Sequence, residues 1–115
     1  MSDFEYELYS TTAEGVSWDL KHSLEDTYKK YNMKVLNIKI RGSPKNRYDN
    51  LYKEFTASGK VEYTENGQRY TMRLVNCQGF YHTKILEGHV KGSFSKPSKA
   101  NATNSAGIPA KAWKF

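Results

Sequence analysis

The sequence predicts an α+β domain in which a single antiparallel sheet of about five strands wraps one N-terminal helix, in the element order β-α-β-β-β-β. Three observations predict it. Apolar and polar residues alternate at period two in several separate stretches. An apolar period of three to four occurs between Glu14 and Tyr31, and the Asn66-Gly67 pair supplies a tight reversal between two of the alternating stretches.

From Asp3 the pattern sets Phe4, Tyr6 and Leu8 on one side and Asp3, Glu5 and Glu7 on the other, a strand with one wet face that ends near Ser10. "TTAE" then offers Thr11 as a helix N-cap with Glu14 three positions on, a reciprocal arrangement that satisfies two otherwise unpaired amides at a helix start. Val16, Leu20, Leu24, Tyr28 and Tyr31 form the apolar stripe of that helix, and Asn32 ends it. Acids early and Lys29 and Lys30 late suit the helix dipole. Trp18 lies roughly 200° around the helix from Val16. It is expected outside the core, either flat on the surface or under the tail, or as a contact for a partner or a second copy.

"MKVLNIKIR" predicts a strand over 33–41 with Leu36, Ile38 and Ile40 toward the core and Asn37, Lys39 and Arg41 toward water. "GSPKNRYDN", residues 42–50, follows as a loop bearing Lys45, Arg47 and Tyr48 between turn-forming ends. Beyond it Leu51, Lys53, Phe55, Ala57, Gly59, Val61 and Tyr63 share one parity, a long strand with Gly59 as its bend or bulge point. A short helix is written over part of the same stretch, since Tyr48, Leu51, Tyr52 and Phe55 stand at i, i+3, i+4 and i+7 behind Ser43 and Pro44. The strand is the preferred reading.

Asn66 and Gly67 both tolerate the positive φ that a two-residue hairpin turn demands. The turn sets a register: Glu65 opposite Gln68, Tyr63 opposite Tyr70 and Val61 opposite Met72, with Lys60, Glu62, Arg69, Thr71 and Arg73 on the outer face. "NCQG", residues 76–79, reads as the next turn. A last strand then runs from Phe80 to Val90 with mixed parity, Phe80, Leu86 and Val90 against Tyr81 and Ile85. Residues 1–92 thus form the core domain. Residues 93–115 read as a flexible, basic tail rich in Ser, Ala and Lys, whose terminal Trp113 and Phe115 either fold back onto the domain or dock on a neighbour.

A chain of 115 residues holds one such domain. The mean hydropathy of −0.82 and an apolar content of 37% would suit disorder if the apolar residues were not periodic. No apolar run reaches the roughly 20 residues of a membrane span, and the start carries no basic-then-apolar leader, so a cytoplasmic protein without membrane contact is expected. The single cysteine, Cys77, excludes an intrachain disulfide and agrees with a reducing compartment. Charge is unevenly spread. Seven carboxylates face Lys21 alone in residues 1–28, nine basic side chains face Asp49 and Glu54 in 29–60, and five lysines stand without an acid in 90–115. Such polarity draws a polyanion to one face, or one protomer's acidic end to the next one's basic face.

Catalytic chemistry is not written here. A glycine-rich phosphate cradle, a Ser/His/Asp order and a fixed carboxylate pair are all missing from the sequence, while Cys77, His82 and His89 lack both zinc-module spacing and a fourth ligand. The expectation is a chain without enzymatic activity, cofactor or metal. One reading is a protein-interaction module, an adaptor, inhibitor or assembly subunit, using the 42–50 loop, Trp18, Trp113 and Phe115 against another protein or a second copy. The alternative is binding of single-stranded or structured nucleic acid through Lys39, Arg41, Lys45, Arg47, Tyr48, Lys60, Arg69 and Arg73. Cations would follow the phosphates there, and rings such as Tyr48 or Tyr52 would stack on bases.

Overall fold

The computed structural model describes residues 3–47 and 51–100, with the backbone alone for 43–47. Tyr48, Trp113 and Phe115 lie outside the described residues. The elements are β1 (Phe4–Leu8), α1 (Ala13–Thr27), a 3-10 turn (Lys29–Tyr31), β2 (Lys34–Arg47), β3 (Tyr52–Glu65), β4 (Gln68–His82), β5 (Gly88–Phe94) and the short β6 (Ser98–Lys99). One antiparallel sheet in the order β1-β5-β4-β3-β2 faces a single helix, the expected α+β class, and β6 pairs with β4.

β1 and β2 are therefore the outer strands of that path, although only α1 and its flanking turns separate them in the chain. Strands spaced about 4.8 Å apart put the outer pair roughly 19 Å apart. The 15 residues of α1 span roughly 22 Å, so one helix carries the chain across one face of the sheet. Val16, Leu20 and Leu24 are fully buried there against Leu8, Val61 and Val90, with Phe4 and Phe55 beside them. Each side chain so removed from water contributes about 1.5–3 kcal/mol.

The helix starts one residue later than the sequence suggests. Thr12, not Thr11, is the N-cap: its backbone is extended and its Oγ1 accepts from Gly15 N at 3.1 Å. That leaves Glu14 in the second helical position, where it cannot complete the reciprocal bond expected of it. At the other end Tyr28 caps α1, the 3-10 turn follows, and Asn32 in the left-handed region (φ 55°) redirects the chain into β2. Glu25 Oε2 accepts from Val35 N at 2.9 Å and ties the start of β2 to the helix.

The Asn66-Gly67 turn has φ of 53° and 80°, and the register of its strands is the expected one, with Val61, Tyr63, Met72 and Leu74 all buried on the helix side. Three irregularities correct the rest of the sheet. In β2 the register shifts between Val35 and Asn37, so Val35 packs on the core while Leu36, expected inside, stands 50% exposed. The expected loop at 42–50 is strand over its first part: β2 continues to Arg47 with a second shift between Gly42 and Asn46, and residues 44–47 and 52–56 are strand in place of the competing helix. Gly42, Asn46 and Arg47 pair with Phe55, Lys53 and Tyr52 of β3. Leu51, whose parity matched the core residues, lies in the reversal and is 37% exposed.

The third correction concerns "NCQG", which is not a turn. Asn76 takes φ 49° as an extra residue inside β4, and the strand runs on to His82. The reversal falls instead at 83–87, where Ile85 and Leu86 are 51% and 66% exposed. The mixed parity expected of a strand from Phe80 to Val90 is thereby resolved, since Phe80 and Tyr81 belong to β4 and Val90 to β5. Register shifts in β2 and β4 flank Gly59 on both sides, and its own strand keeps its parity through that point. Pairing also continues past residue 92. Phe94 closes the core with ring centroids 5.2 Å from Phe4 and 5.6 Å from Tyr28, and Ser98 and Lys99 lie opposite Thr71 and Tyr70.

Cys77 follows the β4 bulge and points into the core, 3% exposed, and burial raises its thiol from 9.0 to about 11. Between those pH values the folded chain keeps a proton that the unfolded chain has released. Stability therefore falls as the pH rises from about 9 to about 11, by on the order of 2 kcal/mol. Urea midpoints from about pH 8 to about pH 11 check this, with the decline shallower in Cys77→Ala. Tyr6, Tyr28 and Tyr63, each raised mainly by burial, account for what remains.

Candidate functional site

Among the described residues the helix covers one face of the sheet, and strand alternation decides what stands on the other. On β2 these are Lys34, Lys39 and Arg41. On β3 they are Tyr52, Glu54, Thr56, Ser58, Lys60 and Glu62. On β4 they are Arg69, Thr71 and Arg73 before the bulge and Gln78, Phe80 and His82 after it. The bulge thus restores a second set of outward side chains, of opposite parity, on the same strand.

The half of this face nearest the Asn66-Gly67 turn is basic. Lys60 lies directly opposite Arg73, with Asn37 across on β2, and Lys39 and Arg41 follow along that strand opposite Ser58 and Thr56. Lys39, Arg41, Lys60 and Arg73 are all exposed. Glu62 is neutralised where it stands: it faces Lys34 across the β2–β3 pair and its carboxylate lies 3.7 Å from Arg69 Nη1. Beside β4, Lys60, Thr71, Arg73, Ser95, Lys96 and Ser98 line a depression of about 310 Å³. Ser95 holds its floor, with Ser95 Oγ accepting from Arg73 N and Ser95 N donating to Arg73 O, both at 2.8 Å. Three cations and three hydroxyls around one hollow is a donor set suited to a phosphate group.

The other half of the face is aromatic. Tyr52 and Phe80 meet edge to face with centroids 5.9 Å apart, and Phe80 and His89 lie 6.2 Å apart, a row crossing β3, β4 and β5. His89 Nε2 meets Glu5 Oε2 of β1, and the Tyr52 hydroxyl donates to Glu87 Oε1 at 3.1 Å. His82, 7% exposed, uses Nδ1 to accept from Lys84 N and Ile85 N at 3.0 and 3.1 Å. It pins the 83–87 reversal under the edge of the Tyr52 ring, with centroids 4.7 Å apart. Cys77 is on the helix side and His82 and His89 are on the outer side, and no group of three metal-ligating side chains converges among the described residues.

The structure therefore brings Lys39, Arg41, Lys60, Arg69 and Arg73 onto one face. Lys45 and Arg47 have their backbone in β2, their side chains lying outside the description, as does Tyr48. Trp18 is on the helix, 62% exposed, its ring packed on His22 with centroids 3.9 Å apart. Sequence reasoning missed Phe80, Gln78, His89 and Lys91 on this face because it broke β4 at Asn76, and Lys96 because it read residues 93–115 as a flexible tail. The tolerance of Asn for the left-handed region was the available signal, and it is shared by turns and bulges.

No family model matches the chain, and no curated protein or solved structure matches it either. Among the described residues no helix is long and apolar enough to cross a membrane.

Proposed function

We propose that this chain is a non-catalytic binding module that takes single-stranded nucleic acid on the outer face of its sheet. The observation that carries the reading is the hollow formed by Lys60, Arg73 and Lys96 with three hydroxyls, continuous with Lys39 and Arg41 and sharing its face with an aromatic row. Cations and hydroxyl donors suit the sugar-phosphate backbone, and rings suit unstacked bases. Glu54 interrupts the face beside Phe80, at the aromatic end and away from the phosphate hollow.

A gel shift with a labelled single-stranded 20-mer tests it. Retardation is expected at micromolar protein in about 50 mM salt. Four phosphate contacts on a single strand imply a loss of about a hundredfold in affinity by about 300 mM. Absence of any shift in the lowest salt would overturn the proposal.

A second reading, protein contact through the helix, is favoured by the exposure of Trp18 and Tyr9, both 62%. Asp19 holds the Tyr9–Ser10 segment against α1 by accepting from Tyr9 N and Ser10 Oγ, both at 2.9 Å. Trp is enriched among residues that dominate interface energies.

A further inference from the structure

Two hollows adjoin the aromatic row. One, of about 420 Å³, is lined by Glu54, Thr56, Gln78, Phe80, His89 and Lys91. The other, of about 450 Å³, shares Gln78 and Lys91 with it and extends to Asn76, Glu5 and Ser93. Neither is a phosphate site. Carboxylates of Glu54 and Glu5 stand in them beside Lys91, while amides and half-buried rings supply the remaining polar and apolar surface. That mixture is what a nucleobase uses: a flat apolar face to cover, and edges that donate to carboxylate or amide oxygens and accept from amide N–H.

Building on the outer-face reading, we infer that Phe80, steadied between Tyr52 and His89, is a stacking platform for one base of the bound strand. Gln78 and Glu54 lie against that base's edge, while the chain's phosphates lead away toward Lys60 and Arg73. Phe80 and Arg73 are seven positions apart on β4, roughly 20 Å along the strand after allowing for the bulge, which leaves room for a few nucleotides between base seat and phosphate hollow. Charge selects the direction, because Lys60, Arg73 and Lys96 gather around the hollow remote from Glu54 and Glu5. The platform makes the module prefer strands with accessible bases over a polyanion that has none.

The test compares a labelled single-stranded 20-mer with inorganic polyphosphate, a polyanion without bases, on the full chain. Phe80→Ala is expected to weaken the oligonucleotide by between about fivefold and about a hundredfold and to leave polyphosphate unchanged. Phe80→Leu keeps apolar bulk in the sheet without a π face and should behave as Phe80→Ala does, while Phe80→Tyr should retain oligonucleotide binding. Equal losses for both ligands in Phe80→Leu, or wild-type oligonucleotide affinity in it, would overturn the platform. If the wild-type chain binds neither ligand, the outer-face reading fails and the platform with it. Polyphosphate binding without oligonucleotide preference removes the platform alone.

Discussion

Lys60→Glu combined with Arg73→Glu is expected to lower affinity for a single-stranded 20-mer by at least about tenfold in 50 mM salt, and to flatten its salt dependence. Each lost phosphate contact on a single strand removes about 0.7 from the slope of log affinity against log salt, so the pair should remove about 1.4. The two side chains face each other across β3 and β4 and both line the hollow with Lys96. Their replacement together matters. Glutamate at position 60 alone would stand opposite Arg73 and form a cross-strand ion pair, confusing a stability gain with a binding loss. The double variant keeps like charges opposed, as in the wild type, so its stability should change little. Lys21→Glu with Lys29→Glu makes the same change in net charge on the helix side, where both lysines are exposed. That control should bind as the wild type does; if it binds as weakly as the outer-face variant, net charge and not the hollow is responsible.

The largest expected effect on stability comes from Gly79→Ala. Position 79 lies toward the end of β4 opposite Val90, which is fully buried. A Cβ there would overlap the carbonyl oxygen of His89 and stand 2.8 Å from Val90 Cα, both of them backbone atoms that no side-chain rotation can move. β4 and β5 would have to part, opening the pairing that also carries Phe80 and His89. A cost of about 3 kcal/mol is expected, the upper part of the range for overpacking. Urea denaturation measures it. Gly42→Ala is the companion, because nothing among the described residues lies within 4 Å of a Cβ at that position, and its stability should stay within about 0.5 kcal/mol of the wild type. Similar losses at the two positions would show that glycine's backbone freedom, and not the close approach of β5, is what position 79 requires.

Gly79 also shows where reading the sequence stopped. "NCQG" has the composition of a turn, and a reversal there would have made Gly79 its last residue. In the fold both sides of β4 are already engaged, β3 pairing on one flank and β5 on the other. A reversal would leave those backbone groups unpaired, whereas a bulge with Asn76 at φ 49° keeps the ladders on either side of it. Leu36 makes the same point in β2. Its parity with Ile38 and Ile40 is plain in the sequence, yet a register shift against β3 turns Val35 inward and Leu36 out.

Local chemistry was enough to specify the helix stripe of Val16, Leu20 and Leu24, the Asn66-Gly67 reversal and the register that places Lys60 opposite Arg73. Those features depend on residues a few positions apart, where the helical period, the alternation of a strand and the φ demanded by a turn leave little choice. The tertiary structure alone decided that β1 pairs with β5, that β4 runs unbroken to His82, and that Phe80, His89 and Lys91 join the basic residues on one face. An Asn in the left-handed region serves a turn and a bulge equally well. The choice between them belongs to hydrogen bonds with β3 and β5, whose facing residues lie beyond the reach of local turn chemistry.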